Sequence, residues 1–362
     1  MNEKRSNTVN SSYLNRLNKI SVLRLIRNEG HISRAEIVKR TGLSAPTVTR
    51  ISGDLIVKEK LVTMVGEGAS SGGRRPKMLR FSSRENFVIG IELGTGYIRG
   101  ALSDLDGKFI VELQVSTGSK GAGEKVMEQI GDIVDTLISR GGDKGAKVLG
   151  IGLAEAGSVN GQTAIIERPP VFNWKNVDII NGLKAYTQLP VFCDNVPRLI
   201  ALGELWYGIG SRYRDFICVD INNGIGAGII IEGKPFFGAN GYAGELGWPI
   251  VDDEGNSIGT MEVPLGDGET LKSLDRAIGH LAICLDTLIK LFNPECIVLS
   301  GRPLRAKGGL RDRLENEVRK YSVANLSAGA RFMGPSFGEN AVLMGAFSLI
   351  LDRVLDLEIG VT

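Results

Sequence analysis

Ser33-Arg34-Ala35-Glu36-Ile37-Val38-Lys39-Arg40-Thr41-Gly42-Leu43-Ser44-Ala45-Pro46-Thr47-Val48-Thr49-Arg50-Ile51 is the stretch whose reading decides the N-terminal fold. Ser33 and Glu36 have capping-box spacing: a hydroxyl for the third amide of a helix, and a carboxylate able to reach back. The helix they open carries Ile37 and Val38 on an apolar side, with Lys39 and Arg40 in water. It stops at Gly42, the residue that most readily adopts a left-handed C-terminal turn. Leu43 fills the corner, and Ser44 caps a second helix that tolerates Pro46 in its first turn. Val48, Ile51, Leu55 and Ile56 form the buried stripe of that helix, leaving Thr47, Arg50 and Asp54 opposite. Two short helices around a glycine turn are a helix-turn-helix.

The residues downstream sharpen this. Leu61–Val65 alternates as a strand, 66–73 is a loop of small residues, and Lys77–Phe81 alternates again. This is a hairpin wing with Gly72-Gly73-Arg74-Arg75-Pro76 at its tip. Paired guanidiniums on a glycine-softened loop suit phosphates or a narrow minor groove. A helical hairpin inside a larger core is the competing reading. Caps, spacing, wing and charge agree only on DNA binding. Upstream, Leu17, Ile20, Leu23 and Ile26 recur at helical spacing and make 15–28 a support helix. The head is therefore expected over 15–81, behind a flexible tail, 1–14, whose polar residues 1–12 are either disordered or an extension of the first helix.

The formal charge of +2 conceals an asymmetry. Residues 15–81 hold 14 Lys/Arg against 5 Asp/Glu, a head of about +9; the first fourteen residues add +1, so the remainder carries about −8. A basic reader of nucleic acid joined to an acidic body has this footprint. The four cysteines (Cys193, Cys218, Cys284, Cys296) form no Cys-x-x-Cys pair and read as buried thiols of a reducing compartment. No run of 18 apolar residues and no signal-peptide pattern occurs, so a cytoplasmic protein without a membrane partner is expected.

After a polar join at 82–86 the texture becomes α/β. Phe87–Gly96 is an apolar strand entering a Gly/Thr turn, Tyr97–Leu102 and Lys108–Val115 are its antiparallel continuations, and Glu124–Arg140 is a helix. The strand Lys147–Leu153 and a loop over 154–161 follow. A second round runs through Pro190–Cys193, the helix Arg198–Tyr207, the strand Asp215–Asn222, a glycine turn at 224–228 and its return Ile229–Ile231. The long helix Ser273–Phe292 and the strand Cys296–Ser300 complete it. Two glycine-turned hairpins about 130 residues apart imply two related lobes facing a cleft. Lobe 1 is expected over 87–190, rejoined by a C-terminal helix at 340–357, and lobe 2 over 191–339.

Several segments together resemble the ROK family (repressors, open reading frames and sugar kinases). Ser33–Glu36, Thr41–Ser44 and Gly72–Pro76 look like its repressor branch. Gly150–Leu153, Trp174–Val177, Gly226–Gly228 and Gly238–Gly247 look like its body. The resemblance implies a winged helix-turn-helix joined to a two-lobed actin-like (ribonuclease H-like) sugar-kinase fold.

It also shows what has changed. The family's kinases have Asn-Asp-Ala-Asn before a helix containing Ala-x-Gly-Glu, and the Asp takes the proton from the sugar hydroxyl. Aligned on Ala201-Leu202-Gly203-Glu204, that motif reads Asn195-Val196-Pro197-Arg198 here. Valine cannot accept a proton, and Asp194 lies one residue early. The family's thiolate–imidazole zinc site is replaced as well: Trp248 follows Glu245-Leu246-Gly247, and Asp253, Gly255 and Thr260 stand at cysteine positions. The acidic turn 252–254 is read as solvated, with a hard cation as the alternative, so no metal is expected. The phosphate turns are eroded: Glu92 replaces an Asp, and Arg302 enters the adenosine turn. Gly94, Thr95, Gly96, Gly224, Gly226 and Gly228 remain, as tight hairpins require anyway. No cofactor and no catalytic residue is expected.

Asn195, Glu245 and Glu262 match sugar-contact positions of the family. Asn240 and Gly241 sit in the segment nearby, Trp248 offers a stacking face, and Arg198 and Arg168 offer anchors for a phosphate or carboxylate. Val171 replaces a polar contact. The expected ligand is a sugar-derived effector. On DNA, Thr47 and Arg50 are the base-edge candidates, with Ala45 and Thr49 beside a thymine methyl or phosphate. Arg34, Lys39, Arg40, Ser44, Arg74 and Arg75 complete the DNA-facing set. The expected protein is a ligand-controlled repressor, not an enzyme, binding a palindromic operator as a homodimer, with a tetramer left open. A sugar kinase with a DNA-binding head, or a dimer whose cleft is a relic, are the alternatives.

Overall fold

The computed structural model describes residues 11–67, 75–81, 86–94, 96–117, 123–141, 147–159, 166–168, 178–222, 224–247, 271–305, 309–321 and 330–357. The head consists of α1 (Ser11–Glu29), β1 (Ile32–Ser33), α2 (Arg34–Thr41), α3 (Ala45–Val57), β2 (Val62–Glu67) and β3 (Lys77–Phe81). Its sheet has the order β1-β3-β2, all antiparallel, so the wing strands are anchored by a short strand ahead of α2. Val22, Leu23, Ile26, Ile37, Val48, Leu55, Leu79 and Phe81 form its core. The first helix starts at Ser11, so residues 11–14 are helical rather than part of a tail.

Lobe 1 contains β4 (Asn86–Gly94), β5 (Tyr97–Asp104), β6 (Phe109–Ser116), α4 (Gly123–Gly141) and β7 (Lys147–Glu155). It continues through β8 (Ser158–Val159), β9 (Ile166–Arg168), α5 (Ile179–Leu183) and β10 (Val191–Asn195). The sheet order is β10-β7-β4-β5-β6, with β10, β7 and β4 parallel and the β4-β5-β6 meander antiparallel. The expected lobe boundary at 191 therefore moves. Residues 191–195 pair along their whole length with 151–155 of β7 and belong to lobe 1.

Lobe 2 follows as α6 (Val196–Tyr207), β11 (Phe216–Ile221), β12 (Ile225–Ile231), β13 (Lys234–Phe236), α7 (Leu271–Phe292), β14 (Cys296–Ser300), α8 (Arg302–Arg305), α9 (Leu310–Tyr321) and β15 (Arg331–Met333). Its order, β13-β12-β11-β14-β15, repeats that of lobe 1: a three-strand meander whose first strand takes two parallel additions. The same chirality rule builds both sheets, because parallel strands need a crossover and crossovers are right-handed. The last helix, α10 (Ala341–Leu357), packs on β7, β4 and α6. Helices α6 and α10 cross backbone to backbone. A Cβ on Gly203 would stand 2.9 Å from the amide nitrogen of Gly345, and one on Gly345 would strike the Leu199 carbonyl oxygen. Among the described residues no helix is long and apolar enough to cross a membrane.

Candidate functional site

The head presents its second helix as the capping chemistry requires. Ser44 Oγ accepts the Thr47 amide at 3.3 Å and lies 2.8 Å from Thr47 Oγ1. Ser33 Oγ accepts the Glu36 amide at 3.2 Å, and Gly42 ends α2 with a left-handed φ of 70°. The Glu36 carboxylate accepts from Arg40 Nε at 3.1 Å, so among the described residues only the forward half of the capping box forms. Arg40 also meets Glu29 at 2.6 Å, and these two acids raise its pKa further, Glu36 first. Ala45, Thr49 and Arg50 are exposed along α3 with Thr47 half-buried beside them, and Lys39 and Arg75 are exposed. Arg50 rests against Asn15, its Nη2 donating at 2.8 Å. Arg74 lies outside the described residues.

Arg34, expected on the DNA-facing side, also makes a contact within the head. Its Nε donates at 2.6 Å to Ser52 Oγ, which is fully buried in α3. A guanidinium so held braces α2 against α3, and its Nε is not available to a phosphate.

In the body, the carboxyl ends of β4, β7 and β10 meet the start of α6, where open α/β sheets take ligands. Asn195 caps α6, its Oδ1 accepting the Arg198 amide at 3.1 Å, while its Nδ2 reaches Glu245 at 3.5 Å. Arg198, read as an effector anchor, is instead consumed. Its Nε donates to Asp194 Oδ1 at 2.6 Å and its Nη2 to the Val159 carbonyl at 2.6 Å, and Nη2 lies 2.5 Å from the same Asp194 oxygen as an ion pair. Nη1 donates to the Gly241 carbonyl at 2.8 Å. The side chain is buried. A guanidinium has five N–H donors, and these hydrogen bonds occupy three, one on each nitrogen. Arg198 therefore locks the β8 hairpin of lobe 1 to the 238–247 loop of lobe 2. Asn240 is exposed in that loop, and Gly241 is buried. Trp248, Glu262, Val171, Thr95 and the replaced zinc positions lie outside the described residues, as does the side chain of Arg168. Val196 is buried at the first position of α6.

The first phosphate turn is covered from within. The place where a Cβ of Gly94 would sit is filled by the Tyr97 ring, whose hydroxyl donates to Glu92 Oε1 at 2.8 Å. Burial raises the pKa of Glu92, as it does that of Asp220 at the end of β11, which Asn222 Nδ2 holds at 2.9 and 3.0 Å.

Two features escaped the sequence reading. Glu155, at the end of β7, is completely buried; Gly157 donates to its Oε1 at 3.3 Å, and Oε2 has no hydrogen-bond partner among the described residues. Burial raises its pKa to about 7. An apolar strand ending in an acid was the available signal. The other feature joins head to body. On α1, Arg27 stacks 3.7 Å above the Tyr207 ring centroid and donates to the Trp206 carbonyl at 2.5 Å. Arg24 donates to Asp352 of α10 and to the Gly233 carbonyl, both at 3.0 Å, and lies 5.0 Å over Trp206. Two arginines three residues apart on the shoulder of an apolar stripe were the clue here.

Comparison with known proteins gives this geometry a family. The ROK family model matches residues 88–261 and 254–353, and a winged helix-turn-helix DNA-binding model matches 16–58. The protein belongs to the ROK family. This ROK chain is 27% identical to the xylose repressor of Bacillus subtilis, over 96% of its own length and 98% of that protein. It is 25% identical to the DNA-binding transcriptional dual regulator NagC of Escherichia coli, over 96% and 95%. Among solved structures, a ROK family transcriptional regulator homologous to the E. coli MLC protein superposes with a TM-score of 0.77, at 22% identity, over 95% of this chain and 99% of that one. A ROK glucokinase from Streptomyces griseus superposes with a TM-score of 0.59 at 21% identity, over 73% of this chain and 98% of that one. The first likeness extends the shared fold through the head, and the second covers the body alone.

Proposed function

We propose that this ROK protein is a transcriptional repressor of carbohydrate genes whose hold on DNA is set by a sugar in the inter-lobe cleft, without phosphoryl transfer. The observation that carries the reading is helix α6. Its N-terminal cap, Asn195, and its first-turn Arg198 lie at the joint between the lobes, and its last residues, Trp206 and Tyr207, carry the arginines of the head. Twelve helical residues span about 18 Å. A helix pinned to α10 at Gly203 moves as a rod, so a sugar that alters lobe closure tilts the surface on which α1 rests. The sugar acts only through its differential affinity for the two closures. The names of the full-length relatives, which include a xylose repressor, make D-xylose the first effector to try. As a homodimer the protein sets two α3 helices in successive major grooves of a palindromic operator.

Val196 in place of the proton-accepting carboxylate, and the Tyr97 ring across the first phosphate turn, speak against kinase activity. The Arg198 lock favours a second reading, a repressor closed without any ligand. Footprinting on DNA from the gene's own neighbourhood, with and without D-xylose, D-glucose and N-acetyl-D-glucosamine, tests both. Protection that a sugar abolishes or strengthens supports the first reading. Protection indifferent to every sugar supports the second, and no protection at low salt removes both.

A further inference from the structure

Glu155 is a buried carboxyl for which neither the family likeness nor the DNA-binding head provides a use. Its neighbours in the sheet are Leu93 on β4 and Asn195 on β10, so it lies in the floor of the parallel strands at their carboxyl ends. Its own backbone holds one oxygen: the Gly157 amide donates to Oε1. That leaves Oε2 oriented, with no partner among the described residues. An orphaned buried oxygen costs about 1–3 kcal/mol, and native structures keep few of them. The turn above it, Ala156 and Gly157, is half-exposed, and two residues on the Val159 carbonyl is the point where Arg198 grips lobe 1. The orphan thus lies directly beneath the joint between lobes, one strand from the α6 cap.

We propose that Glu155 Oε2 is a contact for a hydroxyl group of the effector, and that the cleft selects an uncharged polyol over a sugar phosphate or sugar acid. This rests on the reading of the cleft as an effector site. The geometry supports both parts. A hydroxyl donates and accepts, so it satisfies Oε2 whichever protonation state the carboxyl holds. An anionic group finds no spare cation here: the Arg198 guanidinium is paired with Asp194 and donates to the protein from all three of its nitrogens. Opening the 156–157 turn exposes Oε2 and loosens the Val159 contact of Arg198, so the same movement admits the ligand and releases the lock.

Calorimetry on the full-length protein tests this with D-xylose, D-glucose, N-acetyl-D-glucosamine, D-glucose 6-phosphate and N-acetyl-D-glucosamine 6-phosphate. At least one neutral sugar is expected to bind, each more tightly than its phosphate. Glu155→Leu is expected to bind the same sugar roughly 10- to 100-fold more weakly, the worth of a hydrogen bond to an ionisable group. Glu155→Gln, which keeps the size and one acceptor, is expected to fall between. Leucine removes a buried polar group and keeps the volume, so melting curves should show that variant folded. Wild-type affinity in both variants overturns the Glu155 contact and leaves the effector reading standing. Tighter binding of a phosphorylated sugar overturns the selectivity. Silence of the wild-type protein across the panel removes the effector reading and the contact with it.

Discussion

Replacing Glu155 by glutamine removes a group whose ionisation the fold resists, and the size of that resistance follows from its burial. The carboxyl titrates near 7 in the folded protein, raised from an ordinary 4.5 by desolvation. Each pH unit of separation is worth about 1.4 kcal/mol, so full ionisation costs the fold roughly 3 kcal/mol. The sign is opposite to that of a salt-bridged acid. Here the folded state binds the proton more tightly, so the contribution of this carboxyl to stability is most favourable below 4.5. It falls as pH rises from 4.5 to 7, and no further above that. Relative to Glu155→Gln, which cannot ionise, the wild-type protein should lose about 2 kcal/mol between pH 5.5 and 8.5. Other raised carboxyls, Glu92 and Asp220 among them, titrate in both proteins and cancel in the difference. Paired chemical-denaturation curves at half-unit pH steps measure it. Parallel stability–pH profiles would refute the reasoning, and a wild-type protein gaining on the variant as pH rises would mean that Oε2 has a cationic partner.

Arg27→Ala should leave DNA binding within a few-fold of wild type while abolishing its response to sugar, since it removes the guanidinium stacked on Tyr207; mobility shifts with and without D-xylose check this, and an intact response would exclude the joint as the route. Ser44→Ala should cost the head about 1 kcal/mol through loss of the α3 cap, read from thermal melts. Gly345→Val should destabilise the body by 2 kcal/mol or more (roughly), because its side chain meets the Leu199 backbone and neither helix can retreat; a melting temperature equal to wild type would contradict the crossing. Operator affinity should fall with a log–log salt slope near −5 if about six phosphates are neutralised per dimer, measured by titration across salt concentrations. Val196→Asp alone should not restore sugar-dependent ATP turnover in a coupled assay, because the Tyr97 ring still lies on Gly94.

Much of this protein is written in short-range patterns. The caps at Ser33 and Ser44, the stop at Gly42 and the apolar spacing of Val48, Ile51 and Leu55 each act within one or two turns of helix, so the head is legible residue by residue. The two glycine-turned hairpins are equally local, and their repetition announced two related lobes. The loss of the proton acceptor at Val196 is a property of the side chain and needs no structure to be read.

Tertiary structure decided what depends on partners distant in sequence. Residues 191–195 look like the opening of a second lobe until β7 takes them in parallel register, a pairing set by a strand some forty residues earlier. Arg34 and Arg198 carry the charge that a phosphate or an anionic sugar would seek. Only the folded chain shows Arg34 Nε spent on Ser52, and the Arg198 guanidinium on Asp194, Val159 and Gly241. The grip of Arg24 and Arg27 on the far end of α6, and the unsatisfied oxygen of Glu155, likewise belong to no local pattern. An amino-acid sequence specifies how many hydrogen bonds and charges each residue brings. Which of them remain free for DNA or ligand is settled when long-range packing chooses the partners and excludes water from the rest.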